Sequence, residues 1–316
     1  MSLADAEQPT LDLLAATLAA VSNCWPLVGV GDKDALDKAA VDAMRYSLNL
    51  AEIGGVVVIG EGEKDDAPML FNGEKLGLSE TADWDIAVDP VDGTKLAALG
   101  VPGAVSVIAA SPRGTMLDCH EVYYMKKIVS GPVGVGLLDI DYSVEQNIRL
   151  LAKATGREVE DISVAVINKP RNAQVIKDVE ATGATWVRFE EGDIAHAVAA
   201  AIIGTGIDLL LGVGGAPEGV VTACAIRALR GFMQGVLAPQ TPDEIERALM
   251  AGLPISKKLE LEDLVSGHRQ IFVMTGITDS PLVDGVRTDG EKEVIQSLII
   301  DSDLPDIRRV DLSVEG

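Results

Sequence analysis

The stretch Trp84-Asp-Ile-Ala-Val-Asp-Pro-Val-Asp-Gly-Thr94 decides how the rest of the chain is read. Its apolar run, Ile86-Ala87-Val88, predicts a buried strand that delivers Asp89 to the strand's end. Pro90 lacks the N–H a ladder needs and Gly93 permits a tight turn, so the strand is expected to stop there. Asp89 and Asp92 then stand three residues apart on a stiff corner, with the Thr94 hydroxyl beside them. Hard divalent cations take several oxygen ligands, and Mg²⁺ in particular combines a few carboxylates with substrate phosphates. The same residues also suit a plain strand-to-turn corner, where aspartate caps the turn.

Upstream, Leu11, Leu14, Leu18 and Val21 recur at helical spacing over residues 10–24, and Pro26 ends that run. A glycine-loosened loop from Val28 leads into a second helix through about Leu50, with Asp34 and Asp37 spaced like a capping box at its start. Val56–Ile59 reads as a buried strand running into Gly60-Glu-Gly-Glu63, where flanking glycines would let a ligand approach the Glu61 carboxylate; Lys64, Asp65 and Asp66 follow it. Downstream, Ala104–Ala110 and Thr115–Leu117 read as strands joined at Ser111-Pro-Arg-Gly114, and Tyr123–Lys127 as a basic and aromatic patch.

From residue 143 the texture changes. Helices 143–155, 172–182 and 194–201 alternate with strands 162–167, 185–189 and 207–211, and another helix follows Pro217. The alternation predicts a parallel, right-handed βαβ layer, and such sheets bind ligands beyond the carboxyl ends of their strands. Those ends carry Lys169-Pro-Arg171, Glu191-Gly-Asp193 and Gly212–Glu218. A helix at 242–252 and strands near 271–274 and 295–300 read as closing elements. The expected organisation is an α/β protein of layered α+β and α/β character, with an α+β metal-binding half at 1–142 and a βαβ substrate-binding half at 143–316.

Bulk properties narrow the function. The 316 residues carry a formal charge of −23, which argues against nucleic acid or an anionic membrane as partner. An anionic substrate would be repelled by that field unless local Lys and Arg or bound cations reverse it. No apolar run approaches the roughly 18 residues of a membrane span. The acidic N-terminus lacks a secretory signal's basic start. Cys24, Cys119 and Cys224 are far apart, as free thiols in a reducing cytoplasm would be. His120, His196 and His268 are isolated, and Gly212-Val-Gly-Gly-Ala-Pro217 lacks the third glycine of a dinucleotide fingerprint.

Five carboxylates thus stand at element ends: Asp37, Glu61, Asp89, Asp92 and Glu218. Gly31–Asp37, Ile59–Glu63, Ala67–Leu70, Asp85–Thr94, Tyr124–Lys127, Lys169–Arg171, Gly192-Asp193 and Gly214–Gly219 occur in an order that resembles the bacterial class II fructose-1,6-bisphosphatases. Those enzymes are part of a superfamily of magnesium-dependent, lithium-sensitive sugar and inositol phosphatases. The resemblance covers roughly residues 10–300 and implies a sugar phosphatase fold of alternating helix and sheet layers. It implies metal ligation by Asp37, Glu61, Asp89, Asp92 and Glu218, with two or three Mg²⁺ or Mn²⁺ ions per site. It further implies sugar bisphosphate contacts from Asp92, Gly93, Thr94, Tyr124, Lys169, Pro170, Arg171, Glu191, Gly192, Asp193 and Gly215. Asp89, Asp92, Thr94 and Glu61 would carry the catalysis, and the 1-phosphate of fructose 1,6-bisphosphate would leave by attack of metal-activated water.

A cytoplasmic homodimer or homotetramer serving gluconeogenesis, or the Calvin cycle in an autotroph, is implied on the same ground. The chain departs from the family at Val30, where Arg is common, at Asn172, where His is common, and at Glu191, where Asp is usual; residues 95–102 are also atypical. These positions would bear on substrate recognition or subunit contacts. Sedoheptulose 1,7-bisphosphate is the alternative substrate, alone or together with the fructose sugar. An inositol or nucleotide monophosphatase would show a Trp-Asp pair where this chain has Gly214–Glu218. A silent sugar-phosphate sensor would have no use for a full carboxylate cage of Asp89, Asp92, Glu61 and Glu218.

Overall fold

The computed structural model describes residues 5–61, 70–290 and 292–315. Gly62, Glu63, Lys64, Asp65, Asp66 and the Ala67–Met69 part of one motif lie outside the described residues. The chain forms two compact units, one of Met1–Met116 with Gly267–Gly316 and the other of Leu117–Ser266. The division therefore differs from a boundary at 142. Two strands of the C-terminal segment, expected only as closing elements, are integral to the sheet of the first unit.

In that unit the elements are α1 (Gln8–Cys24), α2 (Lys33–Leu50), β1 (Gly55–Ile59), β2 (Lys75–Leu76), β3 (Trp84–Asp92), α3 (Thr94–Leu99) and β4 (Val105–Pro112). The second unit contributes β5 (Tyr124–Ser130), α4 (Val144–Thr155), β6 (Ser163–Ile167), α5 (Ala173–Thr182), β7 (Thr185–Phe189), α6 (Asp193–Ala201) and β8 (Leu209–Gly215). It continues with α7 (Ala216–Ala228), β9 (Phe232–Leu237), α8 (Pro242–Met250), β10 (Leu259–Glu260) and α9 (Leu261–Leu264). The chain then returns to the first unit with β11 (Ile271–Gly276), β12 (Arg287–Asp289), β13 (Lys292–Asp301) and β14 (Arg308–Glu315).

The first sheet runs β12-β13-β11-β4-β3-β1-β2, with β14 also on β13. Its β1–β3 pair is parallel and its other pairs are antiparallel. The apolar stripe of α1 (Leu13, Ala16, Ala20) and that of α2 (Leu36, Ala40, Met44, Leu48) bury against Val57, Ile86, Val88, Ile108 and Val273. Each fully buried leucine there contributes about 1.5–3 kcal/mol. The expected Asp34–Asp37 capping box does not form. Asp32 caps α2 instead, its carboxylate accepting from the Ala35 N–H at 3.0 Å, an arrangement that stabilises by about 1 kcal/mol.

Two further expectations fail in this unit for identifiable reasons. The strand through Asp89 does not stop at Pro90 but continues to Asp92, because the pairing with β4 slips between Asp89↔Val107 and Asp92↔Val105. One extra residue is accommodated there, so the proline sits in a bulge where no ladder donor is needed. Residues 115–117 form no strand either. The Thr115 and Met116 N–H groups donate to the buried Asp85 carboxylate, at 2.8 and 3.0 Å, and Arg113 pairs with the same carboxylate.

The second sheet runs β10-β9-β5-β8-β6-β7. Only β7-β6-β8 is parallel, as the alternation predicts; β5, β9 and β10 pair antiparallel, so the sheet is mixed. One face packs on α4 and α5 through Ile128, Val164, Val166, Leu209 and Leu211. Of Tyr123–Lys127, expected as a basic and aromatic patch, residues 124–127 are the start of the central strand β5, and Lys127 is fully buried. Gly212–Gly215, expected beyond the end of a strand that stops at residue 211, is the second half of β8.

Candidate functional site

In the first unit, the bulge at Pro90 aims the corner of β3. Asp92 is buried and Asp89 half-buried. Gly93, at φ 92°, is the N-cap of α3, and Thr94 opens that helix with its hydroxyl donating to the Val91 carbonyl at 3.0 Å. A side chain at Gly93 would need a left-handed backbone and would press on the Gly103 carbonyl at 3.2 Å, so the position is held to glycine. The parallel register pairs Ile59, the last residue of β1, with Ala87, and Glu61 follows two residues beyond that strand end. Glu61 is exposed. Asp37 is half-buried in the second turn of α2, which packs on β3, and burial, reinforced by the charge of Asp34, pushes its carboxyl up.

The second unit gathers its expected residues at one end of its sheet, where the parallel strands terminate. Tyr124 opens β5 opposite Gly215. The Arg171 guanidinium lies 4.5 Å above the Tyr124 ring, and its Nε donates to the Val213 carbonyl at 2.8 Å. Lys169 stands 3.8 Å from the Glu191 carboxylate, which links the Lys169–Arg171 turn to the Glu191–Asp193 turn. Asp193 begins α6 and is buried, its Oδ2 accepting from Lys127 at 2.5 Å.

The Gly-Gly-Ala-Pro-Glu-Gly motif has a steric explanation here. A Cβ on Gly214 would fall 1.9 Å from Asp193 Oδ2, and one on Gly215 would fall 1.7 Å from Glu218 Oε2. Both carboxylates fold so closely over the strand end that no side chain fits beneath them. Pro217 lies in the first turn of α7, where its missing N–H is not required, and Glu218 lies in the same turn, where the helix dipole favours an acid. Glu218 Oε2 is nonetheless buried without any hydrogen-bond partner. Burial, and then the charge of Asp193, push this carboxyl up, against the opposing pull of Lys127.

The model of the family described as "Bacterial fructose-1,6-bisphosphatase, glpX-encoded" matches residues 7–313. The chain belongs to that family. It is 40% identical over 307 residues, 93% of this chain and 92% of the relative, to the class 2 fructose-1,6-bisphosphatase of Haemophilus influenzae. It is 36% identical over 296 residues, 90% of this chain and 88% of the relative, to the fructose-1,6-bisphosphatase 1 class 2 of Escherichia coli K12.

For a member of the bacterial fructose-1,6-bisphosphatase family, the donor set fits a hard divalent cation. In the first unit Asp37, Glu61, Asp89 and Asp92 are all carboxylates, and in the second the orphaned Oε2 of Glu218 is the kind of buried acceptor that a cation would satisfy. Among the described residues, no three His, Cys, Asp or Glu side chains converge on one point. Glu61 adjoins residues 62–69, which are outside them.

The family departures fall in distinct places. Val30 is 62% exposed, and its neighbours Gly29 and Gly31 donate to the Ala97 and Ala98 carbonyls, so this loop lies along the equally atypical α3. Asn172 is fully buried. Its amide donates to the Ile167 and Val213 carbonyls and accepts from the Val213 N–H at 2.7 Å, stitching the end of β6 to β8. The Val213 carbonyl that accepts from it also accepts from Arg171 Nε.

Two residues missed in the sequence matter at this end. One is Lys127. The other is His196, which stacks on Phe189 at 3.9 Å with Nδ1 donating to the Gly192 carbonyl at 3.0 Å. Burial lowers the pKa of His196 below 6.5, although the Gly192 bond and Asp193 pull it up. The native state therefore takes up this proton less readily than the unfolded chain does. The contribution of neutral His196 is complete above about pH 6.5 and is lost as pH falls below that value toward the depressed native pKa. The urea midpoint should fall between pH 7 and 5.5, and His196→Gln should flatten part of that fall. Parallel pH profiles for parent and variant would contradict the assignment.

Proposed function

We propose that this protein hydrolyses the 1-phosphate of fructose 1,6-bisphosphate to fructose 6-phosphate and inorganic phosphate, as a phosphoric monoester hydrolase. The observation that carries the reading is the unpartnered, buried Oε2 of Glu218, at the strand ends where Arg171, Lys169 and Tyr124 also gather. Divalent ions, Mg²⁺ or Mn²⁺ and two or three per site, supply Lewis acidity toward the phosphoryl oxygens and lower the pKa of water when bound. Asp37, Glu61, Asp89, Asp92 and Glu218 would hold them.

The chain's own groups do the rest. Arg171, fixed by the Val213 carbonyl and stacked on Tyr124, offers its guanidinium edge to the phosphate that is not cleaved, with Lys169 adding charge. In a protein of charge −23 these cations are what make an anionic substrate welcome locally. The Glu191–Asp193 turn and Gly215 line the sugar. Thr94 gives its proton to the Val91 carbonyl, so its oxygen is left to accept a hydrogen bond from the attacking water. Direct attack by water, with no phosphoenzyme, suits the available groups. All three cysteines are buried, and burial pushes the Cys24 and Cys119 thiols up to about 12.

The lithium-sensitive superfamily, a cytoplasmic setting, service in gluconeogenesis or the Calvin cycle and a homodimeric or homotetrameric state complete this reading. No described helix is long and apolar enough to cross a membrane.

The test is phosphate release by the purified protein with Mn²⁺ or Mg²⁺ and with chelator, on fructose 1,6-bisphosphate, sedoheptulose 1,7-bisphosphate and inositol 1-phosphate. Turnover should be highest on the fructose sugar and vanish with chelator. A preference for another sugar would correct the substrate. Ligand binding without turnover on any of the three would sink hydrolysis.

A further inference from the structure

Lys127 is among the largest fully buried side chains of the described residues, only 1% exposed, in the middle of the central strand β5. A lysine is rarely buried unless it is paired, and this one makes two contacts that diverge. Its Nζ donates to Asp193 Oδ2 at 2.5 Å and to the Gly215 carbonyl at 2.9 Å. The first partner begins α6 and the second is the N-cap of α7. Room for the stem is reserved from the facing helix, since a Cβ on Gly219 would sit 3.3 Å from Lys127 Cδ. Asp193 alone would neutralise the charge. The second bond has a different effect, because it ties the turn before α6 to the turn before α7.

We propose that Lys127 is a positioning residue that sets the spacing between the Glu191–Asp193 turn and the Gly215–Glu218 turn, and so holds Glu218 where a cation can use it. The proposal rests on the functional reading above, in which the first turn meets the sugar and Glu218 meets the metal. Cutting the lysine removes this tie and leaves the first turn held by α6 and the Lys169–Glu191 contact, and the second by α7 and its pairing with β5. Displacements of about 1 Å at reacting groups cost on the order of 100-fold in rate, and loss of an outer-shell support costs about 10–100-fold in metal affinity.

The experiment compares the parent with Lys127→Met, Asp193→Asn and the double variant Lys127→Met/Asp193→Asn, in which no buried charge of the pair is left unpaired. Two readouts are taken: the Mn²⁺ concentration giving half of the melting-temperature shift, without substrate, and kcat and KM for fructose 1,6-bisphosphate. Asp193→Asn keeps the Lys127–Gly215 tie and should chiefly raise KM. The double variant should fold, yet need about 10-fold more Mn²⁺ and lose about 100-fold in kcat relative to Asp193→Asn. A double variant matching Asp193→Asn in both Mn²⁺ demand and kcat would overturn the proposal and leave Lys127 a plain counter-charge. A parent that binds Mn²⁺ but hydrolyses no sugar phosphate would overturn the functional reading instead, and the Mn²⁺ melting shift would still decide the role of Lys127.

Discussion

Glu218→Gln should lower metal-dependent phosphate release by about 1,000-fold or more while raising the melting temperature of the metal-free protein. The two effects have one cause. Oε2 of Glu218 is buried without a partner, and burial together with Asp193 disfavours its charge. An unsatisfied buried polar group costs about 1–3 kcal/mol, and the neutral amide of nearly equal volume relieves the part of that cost that comes from charge. The same substitution removes an anionic ligand. Transition-state stabilisation by a bound cation amounts to several kcal/mol, and each 1.36 kcal/mol is about tenfold in rate. Calorimetry with chelator gives the first quantity and a phosphate assay the second. A variant that is both less stable and fully active would contradict this account of the residue.

Asp89→Ala is expected to lose turnover to a similar or greater degree, with a different stability signature. Asp89 is half-buried at the bulge of β3, between Val88 in the core and Pro90, which needs no ladder partner. Truncation there leaves the Asp89↔Val107 backbone pairing available, so the far-ultraviolet circular dichroism of the apo protein should match the parent's. Mn²⁺ should no longer raise its melting temperature as it does for the parent. If Asp89→Ala hydrolysed fructose 1,6-bisphosphate at the parental rate, the metal role of the corner would be wrong.

Much of this architecture was legible because local pattern and tertiary context agree. The stripes of α1 and α2, the buried run Val56–Ile59 and the three parallel strands of the second unit each repeat a period that only one environment satisfies. Legibility ended where a residue's use depends on a distant strand. Pro90 reads as a stop, but β4 accommodates it with a one-residue slip. Gly212–Gly215 reads as lying beyond its strand, but the strand runs through it, and its glycines leave Asp193 and Glu218 the space that side chains would occupy. The antiparallel placement of β5 and β9 is a matter of topology and left no mark on their sequences. A signal for Lys127 did exist. Neighbouring residues of a strand point to opposite faces, so in a strand with one face covered only one of Lys126 and Lys127 can reach solvent. Lys126 remains exposed, with its ammonium on the Ile140 carbonyl, and Lys127 is the one enclosed. Among the candidate site residues, Lys169, Arg171 and Glu218 were named by motif, whereas the bonds of Asn172 to Val213 require knowing that β8 runs beside it.

The connectivity of the first sheet also governs how the protein is made. β11 lies between β4 and β13, so the edge of β4 stays unpaired until residues 271–276 leave the ribosome. Leu117–Ser266 is by then already synthesised and is free to collapse as a unit. Throughout the translation of that unit the nascent chain therefore carries an open, apolar strand edge, Val105–Ala110, of the sort that invites pairing with a neighbouring chain. Chaperone demand should accordingly concentrate in that interval of synthesis, and slowing translation across codons 117–266 should lengthen the exposure rather than help the fold.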